Sequence, residues 1–391
     1  MQRVVIVGGG VVGSSIAYHL ALHPMFAGEV TVIERDPTYT RASSALSCSS
    51  IRVQFSTPVN ISLSQFGLEF IKRASVDLAV GDDIPALGLR EPGYLYLVPP
   101  AGVPVLREIY ATQRAQGGDV ALLSPEELGA RFGYIDTDGV ALGSLGVTGE
   151  GWFNGPGLHQ AIRSKARSLG VKFVSAAACG FEHGAGVLIS AVKLADGSSV
   201  PADIAINAAG GWAHEVAAWA GVELPIRPRR RMVFTFACRA ELPHFPLLID
   251  PTGIWVRPEG NGFLCGFSPG EGEDDPDEPE LMIDEAVFAE RIWPVLAARI
   301  PAFEEVKLTG GWAGYYDMNL FDHNGIVGPH PAAPSLLHVA GFSGHGMQHA
   351  PGIGRGVAEL IAEGGFISLD LSPLATDRLA RGEKLLERCV I

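Results

Sequence analysis

A β-branched run, RVVIV at 3–7, leads straight into Gly8, Gly10 and Gly13; SSIAYHLALH then carries apolar residues at helical spacing until Pro24 closes it. Residues 29–34 (EVTVIE) are a second strand-like run. Together these predict a strand–helix–strand unit with buried parallel strands. The glycine spacing has a physical reading. The first glycine allows a tight turn, the second lets backbone approach a pyrophosphate, and the third lets helix and strand pack closely. The helix N-terminus behind them offers free N–H groups and partial positive charge to phosphates. Glu34 ends the second strand, 21 residues after Gly13. Its carboxylate can accept from both ribose hydroxyls and would repel a 2′-phosphate, which argues against NADP. The pattern predicts a dinucleotide site and leaves NAD and FAD open; a glycine-rich turn without ligand is the bland alternative.

At 391 residues the chain has room for two or three domains, or one interleaved pair. Its 47% apolar and 18% charged residues exclude a mainly disordered chain. With 29 basic against 43 acidic residues the net charge is −14, which disfavours nucleic acid as a partner. No uncharged apolar run reaches ~18 residues, so no spanning helix is expected. Five cysteines, at 48, 179, 238, 265 and 389, form no C-x-x-C pair. With an N-terminus that lacks the pattern of a secretory signal, they point to a reducing, cytoplasmic setting.

Further along, helices are expected at 60–73, 104–117, 156–169, 284–298 and 352–363, and strands at 94–98, 171–175, 187–194, 203–207 and 336–340. Residues 41–56 read as a loop. NAAGGW at 207–212 is a second strand–glycine–helix step, with Gly221 ending its helix. Residues 231–237, 253–257 and 262–267 alternate like antiparallel strands. The segment 271–280 (EGEDDPDEPE) has seven acidic residues and two prolines and reads as a solvated loop. There is no internal repeat. The expected fold is α/β (α+β overall): a Rossmann-type nucleotide-binding domain from 1–80, 150–225 and 320–391, interleaved with an antiparallel-sheet substrate domain from 81–149 and 226–319.

The C-terminal blocks WAGYYDM (312–318), GIVGP (325–329), AGFSGHGMQ (340–348) and APGIGR (350–355), with the N-terminal fingerprint and NAAGGW, resemble the D-amino-acid-oxidase-like superfamily of FAD-dependent oxidoreductases. Within it the chain looks most like the glycine/sarcosine oxidase and D-amino-acid dehydrogenase group. The stretch 42–56 is also similar to FAD-dependent oxidoreductase-domain proteins of mitochondria. The resemblance implies FAD along Gly8, Gly10, Val12 and Gly13, with Glu34 and Arg35 at the adenosine ribose. It places Ala42, Ser43, Ser44 and Ser49 along pyrophosphate and flavin, Ala178 at adenine, and Ala209 and Gly210 near the phosphates. Gly344, His345, Gly346, Met347 and Gln348 would wrap ribityl chain and ring. Relatives that attach FAD covalently use a cysteine where this chain has Gly314, so non-covalent FAD is implied. Cys48 reads as a buried, unreactive thiol.

For the substrate the resemblance points to Arg231 as a carboxylate-binding arginine, Arg52 as a flavin-proximal arginine, Tyr316 and Trp255 as pocket walls, and Gln348 beside the carboxylate. An arginine suits this task because its planar fork matches a carboxylate. Strand-surface charges at 229–231 and core aromatics are the plain alternatives. Where sarcosine-type oxidases place an oxygen-activating lysine, this chain has Leu264, Cys265 and Gly266, which favours a dehydrogenase. The implied reaction moves hydride from the C–H beside an amine nitrogen to flavin N5, giving an imine that water hydrolyses. The partners implied are a small amine or amino-acid substrate and an unidentified electron acceptor. A partner-binding or assembly factor with structural FAD, and an NAD-linked dehydrogenase, are the competing readings.

Two other patterns are set aside. Gly266-x-Ser268-x-Gly270 mimics a nucleophile elbow, but Pro269 has no N–H to offer an oxyanion. The pairs His19/His23 and His345/His349 lack an evident third ligand, so no metal is expected.

Overall fold

The structure is a computed structural model that describes residues 1–389 except 185, 187 and 271. Residues 187 and 271, which begin the expected strand 187–194 and the acidic segment, therefore lie outside the described residues.

Two sheets carry the molecule. In the six-stranded sheet the order is Ile326–His330, Ala333–Ala340, Ile204–Asn207, Arg3–Val7, Glu29–Glu34, Lys172–Ser175. Every neighbouring pair is parallel except the hairpin joining the first two. Val5 sits level with Thr31 on one side and Ala205 on the other, and Ala205 in turn pairs with Leu336, so one sheet joins residues from both ends and the middle of the chain. That strand is buried from Val4 through Val7, as a parallel strand covered on both faces must be. The helices Val11–Leu22 and Gly346–Glu363 lie over the same apolar cluster, through Ile16, Leu20, Ile353 and Val357.

The second sheet has eight strands in the order Lys307–Asn319, Ile226–Ala237, Gly262–Gly266, Trp255–Glu259, Leu247–Ile249, Tyr94–Val98, Leu142–Gly146, Val120–Leu123. It is antiparallel apart from the pairing of Leu247–Ile249 with Tyr94–Val98. One face is closed by an aromatic cluster that includes Phe234, Phe236, Phe263, Phe288 and Phe303; the other looks toward the first sheet.

Local structure differs from the sequence reading in several places: the strands Val120–Leu123, Leu142–Gly146, Leu247–Ile249 and Lys307–Asn319 and the helix Pro125–Arg131 were not foreseen, and three further differences lie close to the cavity. The stretch 41–56 is not all loop: it holds the one-turn helix Ser43–Leu46 and the strand Ser50–Ile51, paired with Gly151–Trp152. A strand not foreseen, Ala178–His183, joins Ile189–Leu194 and Ser199–Pro201 in a small antiparallel sheet. The last long helix starts at Gly346, six residues before the expected 352, and carries Pro351 inside it. Pro351 is the sixth residue of this helix, past the unpartnered start amides, so it removes one interior hydrogen bond, the one to the Met347 carbonyl.

Candidate active site

A cavity of about 670 Å³ opens between the two sheets, within the range of cofactor and small-molecule sites. At one end lie Glu34, Arg35 and Ala178, with Gly8, Gly10, Val12, Ala209 and Gly210 beyond them. The Glu34 carboxylate is held by main chain, accepting from the amides of Gly9 and Asp36 at 2.8 Å each. Arg35 stacks its guanidinium over Trp212, 4.2 Å from the ring centroid. Gly8 has φ +105°, and a Cβ there would lie 2.4 Å from the Ala208 carbonyl oxygen. Gly13 does not line the cavity; a Cβ on it would meet the Gly8 carbonyl oxygen at 2.0 Å, so its place is the close packing of helix on strand.

Two helix N-termini open onto this space. Gly10 caps Val11–Leu22 without a side-chain hydrogen bond and with no acidic residue in the first turn. The buried Ser44 hydroxyl has no partner in the protein and lies 3.5 Å from where a Gly10 Cβ would be. Free amides, helix polarity and an unpaired hydroxyl together suit a pyrophosphate. The cavity continues past Ala42, Ser43, Ser49, Gly344, His345, Gly346, Met347 and Gln348, at the uncapped start of Gly346–Glu363. Gly344 needs to be glycine: its φ is +97° and a Cβ would sit 2.3 Å from the Tyr316 ring. Asp317 pins this loop, one carboxylate oxygen accepting from the amides of Gly341 (2.8 Å) and Phe342 (3.1 Å). Burial raises its carboxyl to about 6. The N-terminal residue pattern, the orphan hydroxyl and the volume and lining of the cavity fit FAD.

The far end is walled by Tyr94, Leu247, Trp255, Phe267 and Tyr316. Burial pushes the Tyr316 phenol up to about 12, so it stays protonated and can donate at neutral pH. His345 is held well below its ordinary range by burial, and its Nε2 has no partner. Burial also drives the Cys48 thiol up to about 12, which makes thiolate chemistry there unfavourable. The Gln348 side-chain oxygen accepts from the Arg52 backbone N–H at 2.9 Å. Arg52 reaches the cavity wall, but its guanidinium donates to the carbonyls of Gln54 and Cys389 and stacks on Phe55, which ties it to structure. Below it, Glu150 is fully buried, accepts from the amides of Val53 and Gln54, and is raised to about 7 by burial.

Arg231 is 7% exposed and lines the cavity. Its Nε donates to Ser268 at 3.2 Å, and its fork binds Asp275 at 2.9 and 3.0 Å. The segment 272–280 is largely exposed, as a solvated loop should be, but it is tied down at several points and turns Asp275 and Pro279 partly inward. Besides Asp275 on Arg231, Asp277 pairs with Arg229 at 2.9 Å. Glu278 accepts from the Trp212 indole at 2.8 Å, and the Glu280 carbonyl accepts from Arg230 at 3.0 Å. Acidic residues repel packing only while unpaired, and three consecutive arginines face them here. Asp275, Asp317, Ser268 and Tyr94 were not anticipated as site residues. The only trace of Asp275 in the sequence is a run of acids matching a run of bases.

A family model described as FAD dependent oxidoreductase (DAO) matches residues 3–360. The chain is 41% identical to FAD-dependent oxidoreductase domain-containing protein 1 of Bos taurus, across 99% of this chain and 87% of that one. It is 25% identical to the mitochondrial dimethylglycine dehydrogenase of Homo sapiens, across 94% of this chain but 44% of that longer one. Among solved structures, L-proline dehydrogenase from P. horikoshii superposes with a TM-score of 0.85 at 27% identity, covering 98% and 99% of the two chains.

Proposed function

The chain belongs to the DAO family of FAD-dependent oxidoreductases, and from that premise we propose that it oxidises a small amino acid or N-substituted amine through its carboxylate and its C–H beside nitrogen. The observation that carries this reading is Arg231, a nearly buried guanidinium in the cavity wall beside Tyr316 and Trp255. Buried cations need an anionic partner; Asp275 fills that place in the structure, and a substrate carboxylate matches the same bidentate geometry.

When bound, FAD supplies a two-electron acceptor at N5 of its ring. The residues available to hold it are Gly8, Gly10, Val12, Glu34, Arg35, Ala42, Ser43, Ser44, Ser49, Ala178, Ala209, Gly210 and the 344–348 loop, with Gly13 in support. Arg231 would fix the substrate carboxylate. Trp255, Tyr316 and Tyr94 would exclude water and orient the amine, and Gln348 would hold the Arg52 segment against the pocket. Orientation of this kind is the main contribution the protein can make. The cavity lining contains no lysine among the described residues, and 264–266 supplies no cation. This supports a dehydrogenase that passes electrons to an acceptor other than oxygen. The five cysteines are unpaired, in keeping with a reducing compartment, and no helix among the described residues is long and apolar enough to cross a membrane.

A second reading, a partner-binding factor with structural FAD, draws on Asp275 already filling Arg231. An anaerobic screen of D-, L- and N-alkyl amino acids against the holoprotein separates the two. Loss of the ~450 nm flavin band with one substrate class, through reduction of the flavin, is expected; a band that survives every amine would favour the structural role.

A further inference from the structure

Residues 273–280 run as a strap along strand Ile226–Ala237. Asp275 takes Arg231, Asp277 bridges to Arg229, the Glu278 amide donates to the Pro228 carbonyl, and the Pro279 carbonyl accepts from the Tyr315 hydroxyl. The ties are unequal. The Asp275 side chain is 25% exposed on an arginine that is 7% exposed, whereas Asp277 and Glu278 are 54% and 43% exposed. Exposed pairs hold weakly. Arg231, Tyr315 and Trp212 all line the cavity and all hold the strap, but the bidentate charged pair at Arg231 is the strongest of these ties.

We propose that Asp275 is a built-in surrogate for the substrate's carboxylate: productive binding exchanges the two on Arg231 and lifts the strap, so that Asp275 sets which amines the site accepts. This rests on the reading above that Arg231 receives a carboxylate. The pair presents two parallel N–H···O contacts, the geometry an amino acid's carboxylate would reproduce. Exchange of one carboxylate for another leaves the buried guanidinium paired throughout. An amine without a carboxylate offers nothing to exchange: Asp275 stays on Arg231 and the strap stays down, because lifting it would leave that charge uncompensated, which is strongly unfavourable. Asp275 thereby rejects such amines, as sites with buried polar groups reject analogues that cannot satisfy them. The surrogate is tethered, so it competes at an effective concentration in the mM range typical of short linkers. Its charge removed, a free carboxylate should bind roughly ten-fold more tightly, as loss of a tethered competitor predicts.

The test uses the holoprotein with acetate and benzoate as redox-inert probes and acetamide as the uncharged control. Binding is read from the perturbed flavin absorbance, and strap position from cleavage by a glutamate-specific protease after Glu273 and Glu280, since Pro279 protects the bond after Glu278. In the wild type, saturating acetate should speed strap cleavage and acetamide should not. Asp275→Asn should tighten both carboxylates about ten-fold and speed cleavage without any ligand. Asp277→Asn, on the outer tie, should speed cleavage and leave the carboxylate Kd unchanged. Carboxylates that bind the wild type and Asp275→Asn equally, and lose binding in Arg231→Ala, would overturn the surrogate while leaving the Arg231 reading intact. Carboxylates that bind neither protein would remove both. Wild-type cleavage indifferent to acetate would overturn the strap even if Asp275→Asn does not fold.

Discussion

The cavity wall on the six-stranded sheet is made largely of main chain, whereas the wall on the eight-stranded sheet is made of long side chains. On the first, the gripping groups are amides at two helix starts, the turn at Gly8 and the loop at Gly344, and even Glu34 is fixed by backbone N–H groups. On the second they are Arg231, Ser268, Trp255 and Tyr316, with Arg231 held by a residue 44 positions away. A grip built from backbone constrains where side chains must be missing. A grip built from side chains depends on which distant residue answers each one, and such pairings can be exchanged for a ligand.

The largest effects should come from crowding the main-chain wall. Gly13→Ala pushes a Cβ to 2.0 Å from the Gly8 carbonyl oxygen, and overpacking against backbone predicts a loss of about 3 kcal/mol or more together with the flavin. Gly10→Ala sharpens the contrast, because its Cβ meets only Ser44 Oγ at 3.5 Å. It should keep the melting temperature of the flavin-free protein and lose FAD affinity. Flavin absorbance and thermal melts on both variants check this, and equal melting temperatures would break it.

On the side-chain wall, Arg231→Ala should raise KM for a carboxylate-bearing amine about a hundred-fold, the ~2–5 kcal/mol expected when one partner of a buried charged pair is removed, with FAD content unchanged. A KM that stays put would take Arg231 out of the substrate site.

The smallest effect belongs to Glu150, beneath Arg52. Its folded-state carboxyl lies at about 7, above the ordinary 4.5, so the folded protein holds this proton more tightly than the unfolded one. Its contribution is full below pH ~4.5 and is lost as pH rises through about 7; the part lost above pH ~5.5 is on the order of 2 kcal/mol. Denaturant titrations at pH 5.5 and 8 should show the decline, and Glu150→Gln should flatten it.

How far this was legible in the sequence follows the same division. RVVIV, the glycine spacing and Glu34 announce the first sheet and its nucleotide end, because each is a local constraint on backbone. The short strand Ala178–His183 escaped because ACGFEH barely alternates, and its pairing with Ile189–Leu194 supplies the order instead. Pro351 disguised the start of the last long helix, placing it after the turn that faces the cavity. Arg231 came forward by resemblance, but nothing local ties it to Asp275: the charge-rich, proline-rich run is solvated as it reads, and no pattern in it marks the acid that turns inward onto Arg231.

The first sheet also imposes a schedule on synthesis. Arg3–Val7 leaves the ribosome early, yet its neighbour Ile204–Asn207 follows some two hundred residues later, and the helix beginning at Gly346 later still. At ~5–20 residues per second the glycine fingerprint waits roughly 20–70 s for the elements that complete its cleft. Throughout that interval a nascent chain carries an apolar strand with an open edge, a template for wrong pairing. Loading of the cofactor is therefore a late event, and shielding by chaperones in the meantime matters more here than for a fold whose nucleotide cleft is contiguous in sequence.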